Sequence, residues 1–126
     1  MEQAVRDTLE GVISLSLYPR SEIQVNVSVL QVDGSLVCAI INACCLALMD
    51  AGIDMVEMPL ACSVGMVKNR LCVDVNHTEQ GAGVAFLPVA VKSTSEDVLF
   101  MQLDSRLSGD HLEQALRAAL DGCRAV

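Results

Sequence analysis

Hydrophobic positions along the chain change period several times, and each change predicts an element. Val5, Leu9, Val12, Ile13 and Leu17 recur at helical spacing. That pattern predicts a first helix ending at Tyr18, because Pro19 disfavours a helical residue before it. Strict alternation follows. Ile23, Val25, Val27 and Val29 fall on one face, and Gln24, Asn26 and Ser28 on the other. Period two predicts a half-buried strand. Asp33-Gly34-Ser35 predicts a turn. The oily run from Leu36 to Met49 predicts a core helix, ended at Asp50-Ala51-Gly52 with Gly52 as its cap.

The second half predicts strands. Leu60 to Val67 and Leu71 to Val75 flank Lys68-Asn69-Arg70 as a hairpin. Asn76 to Gly83 reads as a polar loop. Val84 to Val91 reads as a very apolar strand, with Pro88 marking an edge or a bulge. Ser93 to Asp97 is a turn and Val98 to Leu103 a further strand. Ser108 is positioned to cap a last helix whose apolar stripe is Leu112, Ala115, Leu116, Ala119, Leu120 and Cys123. The expected architecture is α+β: a mixed β-sheet layered with helices.

Composition narrows the function classes. The chain has 126 residues, 52% of them hydrophobic, which suits a packed domain and excludes a disordered one. Lys and Arg number 8 against 16 Asp and Glu, a net charge of -8 that disfavours a nucleic-acid footprint made by this chain alone. Aromatic residues are 2%, too few for a base-stacking platform. The N-terminus lacks a signal peptide's basic start and apolar run, and no membrane span is expected. Six cysteines lie mostly among Ala, Val and Leu with no CxxC pair, which reads as buried thiols in a reducing compartment rather than a metal site.

Candidate chemistry is sparse. Asp74, His77 and Glu79 form the best cluster for general acid–base or metal-dependent work, against a plain reading as a solvated loop. Asp33 and Asp50 occupy turn and helix-end positions, where Asp is common for backbone reasons. The Asp33-Gly34-Ser35 turn before a helix could present N–H groups to an anion, a weak signal alone.

A combined pattern is more specific. It comprises Tyr18-Pro19-Arg20, Val29-Leu30-Gln31-Val32-Asp33-Gly34, Asn42-Ala43, Ala47-Leu48-Met49-Asp50-Ala51-Gly52-Ile53, Ala61-Cys62-Ser63-Val64-Gly65, Asp74-Val75 and Leu87-Pro88. Together these resemble the RNase PH family over nearly the whole chain, and most closely its members in the eukaryotic RNA exosome. The resemblance implies an RNase PH-like α+β domain, here as a partial domain over residues 1–126 with the family's N-terminal half missing.

Active relatives cleave RNA by phosphorolysis, using a Gly-Thr-Arg-Thr turn for phosphate and two downstream aspartates for a divalent metal. In this sequence the turn positions are Ser35, Leu36, Val37 and Cys38, and the aspartate positions are Gln80 and Phe86. Val37 has no guanidinium to fork around phosphate, and Phe86 has no oxygen for a hard cation. The resulting expectation is a catalytically inactive structural subunit with a degenerate phosphate site, a degenerate metal site and no cofactor. Its partners would be other RNase PH-like exosome subunits in a hetero-oligomeric ring supporting 3′-to-5′ RNA processing and degradation, in nucleus, nucleolus and cytoplasm. RNA would bind weakly, with Arg20 as the first candidate contact. The alternative is a residual metal-dependent nuclease on Asp74, His77 and Glu79. A missing half-domain would also expose the apolar face of Val84 to Val91, making the chain dependent on partners.

Overall fold

The structure, a computed structural model, describes residues 2–67, 70–81, 85–103 and 109–126. The element order is α1 (Glu2–Glu10), a 3-10 turn (Leu15–Leu17), α2 (Leu36–Asp50), β1 (Pro59–Val67), β2 (Arg70–Val73), α3 (His77–Gly81), β3 (Phe86–Lys92), β4 (Val98–Met101) and α4 (Gly109–Ala125). The four strands form one antiparallel sheet in the order β2-β1-β3-β4. The expected α+β architecture is present, with every described strand pairing antiparallel rather than mixed.

Helices cover both faces, and strand alternation decides which residues meet which helix. Ala61 and Ala90 join the cluster of Val5, Leu9, Ile41, Cys44 and Leu48 from α1 and α2. Cys62, Val64, Leu87, Val89 and Val91 point the other way, onto Ala115, Ala119 and Cys123 of α4. The α4 face is therefore built from larger side chains, each worth roughly 1.5–3 kcal/mol on full burial of a Val or Leu. On the α2 face the strands carry small residues, and the helix supplies the bulk.

Several expectations need correction. The first helix is shorter than its apolar spacing suggests. It stops at Glu10, the Gly11 and Ile13 amides still bonding back to Asp7 and Leu9, and Ile13 then bridges to Met55 while Ser14 N–H donates to the Asp54 carbonyl at 3.0 Å. Val12 remains fully buried, which explains why the helical spacing ran on through it. The expected strand at 23–29 pairs with no other strand among the described residues. Among the described residues, no backbone group of 22–32 pairs with another backbone group. Only Ile23 packs against the core, and Val25, Val27, Val29, Leu30 and Val32 are exposed. Alternation reports a strand's two faces but cannot supply the neighbour that hydrogen-bonds it.

The apolar face expected to be exposed on residues 84–91 is instead covered. Leu87, Val89, Ala90 and Val91 are buried between the helix layers, while Val84 lies outside the described residues. Pro88 sits on an interior strand, not an edge. Its carbonyl accepts from Gln102 N–H at 3.3 Å, so its ring nitrogen also faces β4, just past the last paired residues Val89 and Met101. Pro88 has no N–H to return to Gln102, so this pair makes one bond instead of two and the regular β3–β4 register stops at Val89 and Met101. The register irregularity lies two residues on, between Ala90 and Val91.

The remaining elements agree with the pattern apart from their ends. Arg70, expected in the turn, instead opens β2 opposite Val67, and β2 ends at Val73 rather than Val75; Lys68 and Asn69 lie outside the described residues, as do Ser108 and the segment from Asp104 that precedes it. α2 ends in a Schellman arrangement: Gly52 at φ 74° follows the cap, and Ile53 N–H reaches the Leu48 carbonyl at 3.1 Å. No helix among the described residues is long and apolar enough to cross a membrane.

Candidate functional site

The Asp33-Gly34-Ser35 turn lies against the junction of β2 and α3, and this contact assembles the candidate site. Gly34 (φ 83°) and Ser35 (φ 52°) are both left-handed. A Cβ on Gly34 would stand 2.6 Å from the Val75 carbonyl oxygen and 2.8 Å from His77 N, so only glycine fits. Asp33 Oδ1 accepts from His77 N–H at 3.3 Å. Asp74 is also left-handed, at φ 62°, with its side chain exposed.

Beneath the turn lies a closed hydrogen-bond ring. Val75 N–H donates to Ser63 Oγ at 3.3 Å, and Ser35 Oγ donates to the Val75 carbonyl at 2.7 Å. The two serine hydroxyls are in direct contact. Since Ser35 spends its proton on Val75, Ser63 must donate to Ser35. Each group then donates once and accepts once, in a site where both serines are buried. Ser63 carried no sequence signal as a site residue. Its alternation onto the face occupied by Ala61 marked it as buried, but the partner came only from the fold.

Of the turn positions named by the resemblance, Ser35 points inward to this ring. Leu36 and Val37 are half-buried against the α1–α2 cluster, and Cys38 is buried. Desolvation pushes the Cys38 thiol up to about 12, so it holds its proton. Phe86 is half-buried at the start of β3, opposite Gly65. Gln80 lies on α3, with its side chain outside the described residues.

Asp74, His77 and Glu79 lie in sequence at the β2–α3 junction, where His77 N–H reaches Asp33. The expected loop from Asn76 instead opens α3 through a capping box. Asn76 Oδ1 accepts from Glu79 N–H at 2.8 Å, and Glu79 Oε2 accepts from Asn76 N–H at 3.0 Å. The Asn76-x-x-Glu79 spacing was the readable signal for this helix. Among the described residues, no group of three His, Cys, Asp or Glu side chains is placed to hold a metal ion. Arg20 is exposed and makes no ion pair among the described residues; Glu22 accepts from Gln24 instead. Asp50 closes α2 on its exposed side.

Comparison with known proteins places the geometry in context. Residues 1–54 match the model of the 3′ exoribonuclease family, domain 1, and residues 57–122 match domain 2 of that family. The chain is 43% identical over 122 residues to the exosome complex component RRP41 of Mus musculus, covering 97% of this chain and 50% of that protein. It is 36% identical over 126 residues to the exosome complex component Rrp41 of Cenarchaeum symbiosum, covering 100% of this chain and 52% of that protein. The chain thus spans about half the length of the curated relatives it matches.

Among solved structures, rice Rrp46 superposes with a TM-score of 0.90 at 23% identity, over 98% of this chain and 58% of that one. An Archaeoglobus fulgidus exosome with RNA bound to the active site gives 0.67 at 19% identity, over 98% of this chain and 56% of that one.

These findings correct one expectation. The view that the chain is not an enzyme rested on Val37, Gln80 and Phe86, and on the half of the family domain expected to be missing. The matched family is one of exoribonucleases, its Rrp41 relatives include archaeal exosome components, and a solved exosome of this fold holds RNA at an active site. Substitutions read within one chain do not measure activity where an assembly can draw groups from adjoining chains. With its two stretches matched by the two domain models, the chain belongs to the 3′ exoribonuclease family, the RNase PH family that its sequence resembles.

Proposed function

We propose that the chain serves as a subunit of an RNA exosome, in a ring with other RNase PH-like chains that processes and degrades RNA from its 3′ end. The observation that carries this reading is the 43% identity to an exosome complex component over 97% of the chain. The fold is consistent with it. The Asp33-Gly34-Ser35 turn, the start of α2 and the β2–α3 junction are joined at one corner by the serine ring and the Asp33–His77 bond, with Asp74 exposed beside them. That corner is where the family resemblance puts the phosphate turn.

RNA contact within such a ring would use scattered cations such as Arg20. The net charge of -8 makes the lone chain a weak RNA ligand at physiological salt.

The test is affinity purification of the tagged chain from cells, with identification and stoichiometry of what accompanies it. Other RNase PH-like subunits in near-equal amounts are expected. Recovery of the chain without any of them would overturn the assignment.

A further inference from the structure

The turn between β3 and β4 carries three successive hydroxyls, Ser93-Thr94-Ser95, followed at once by Glu96-Asp97. All three hydroxyl residues are exposed, and the turn lies well inside the stretch matched to domain 2 of the family. One carboxylate holds it in shape. Glu57 Oε2 accepts from Thr94 N–H at 3.0 Å, from Ser95 N–H at 2.9 Å and from the Ser95 hydroxyl at 3.3 Å. Two successive N–H groups aimed at one oxygen make a small anion nest, filled here by the protein's own acid. These bonds, that of Ser95 N–H above all, hold the Glu57 carboxyl below its ordinary value, so it is charged at neutral pH.

That geometry fixes what a phosphoryl group on Ser95 would do. It adds about two negative charges at the atom that now donates to Glu57. The donor is lost, and the new oxygens, which only accept, compete for the same two N–H groups. Among the described residues, neither the Ser93 nor the Thr94 hydroxyl bonds to this carboxylate.

We propose that Ser95 is a phosphorylation site for a protein kinase with a cationic substrate groove, and that the phosphate expels Glu57 from the turn. The Ser95 oxygen bonds to the γ-phosphorus of a nucleoside triphosphate as the bond to the β-phosphate oxygen breaks. The nucleoside diphosphate leaves, and the hydroxyl proton passes to the kinase's base. Glu96 and Asp97 supply the charge that such a groove reads. Arg124 forks Glu96 at 2.6 and 3.0 Å, so exposed Asp97 is the better position to test. β4 has four residues and lies at the edge of the sheet, so the turn opens into the groove without global unfolding. Expelling Glu57 loosens the joint between the two matched stretches, where Val56 N–H reaches the Val12 carbonyl and the Met58 carbonyl accepts from Ser93 N–H. The proposal goes beyond the exosome assignment and does not depend on it.

Mass spectrometry of the tagged chain, purified from growing cells with phosphatases inhibited, tests the site. Phosphate on Ser95 is expected. Asp97→Lys should lower its occupancy about fivefold or more. Asp50→Lys, at the exposed end of α2, should leave it unchanged. Urea denaturation tests the consequence. Ser95→Asp should lower the folding constant about two- to fivefold below Ser95→Asn, and the difference should vanish when both are placed on Glu57→Gln. Unphosphorylated Ser95, or phosphate confined to Ser93 or Thr94, would overturn the proposal. So would occupancy indifferent to Asp97→Lys, or a difference between Asp and Asn that persists without the Glu57 charge.

Discussion

The hydroxyls of Ser35 and Ser63, 28 positions apart in sequence, meet inside the protein and close a ring through both backbone groups of Val75. Three elements are tied at that point: the start of α2, the middle of β1 and the exit from β2. Removing one member leaves the others buried and unpaired, which costs about 1–3 kcal/mol. Ser63→Ala orphans Val75 N–H and should lower the thermal midpoint by roughly 3–10 °C. In a double cycle, Ser35→Ala with Ser63→Ala should cost clearly less than the two single losses added, because the second change removes a ring already broken. Strict additivity in calorimetric melts would argue against the ring.

Asn42 stands in for a missing strand. Its amide donates to the Ala61 carbonyl and accepts from Ala61 N–H, both at 2.9 Å. β2 pairs only with Val64 to Val67, so Ala61 has no strand neighbour on that side. Asn42→Leu keeps the volume but strands both backbone groups, and should destabilise by about 2–3 kcal/mol. Urea denaturation should show a lower midpoint with an unchanged slope.

Three glycines should respond differently to alanine. At Gly34 both the positive φ and the backbone of Val75, Asn76 and His77 oppose a Cβ, so Gly34→Ala should be the most damaging, at roughly 2 kcal/mol or more. At Gly122 the obstacles are side chains, Cys62 Sγ at 2.7 Å and Val73 Cγ1 at 2.9 Å, which can yield in part. At Gly52 there is open space, leaving only the φ of 74°, a cost of about 1 kcal/mol. The order Gly34, Gly122, Gly52 in chemical denaturation is the expected result.

The five buried thiols should be inert in the folded chain. Burial pushes Cys38 up to about 12 and Cys123 up to about 11, from ordinary values near 9.0, and also raises Cys44, Cys45 and Cys62. The folded state holds these protons when the unfolded chain has already released them. The stability they contribute is therefore complete below about pH 9 and is lost as pH rises from there toward 12. A thiol reagent at neutral pH should modify half-buried Cys72 first, with the other five reacting only as the chain unfolds. Rapid modification of all six under native conditions would contradict the burial.

Local chemistry alone determined much of this protein. The Gly52 stop of α2, the Asp33-Gly34 turn, the β1–β2 hairpin and the apolar stripe of α4 were legible because each depends on residues within a few positions of one another. The Asn76-x-x-Glu79 box is equally local, although the polarity of 76–83 reads as a loop. Tertiary structure decided the rest. It set which strand lies inside, and so how Pro88 is tolerated. It turned Ser63 and Asn42 from unremarkable positions into tie points. It also leaves Val25, Val27 and Val29 without a paired strand among the described residues, although their alternation reads as one. The reason is the same in each case: a hydrogen-bond partner or a covering face is supplied by a distant segment, and periodicity records only that one is needed.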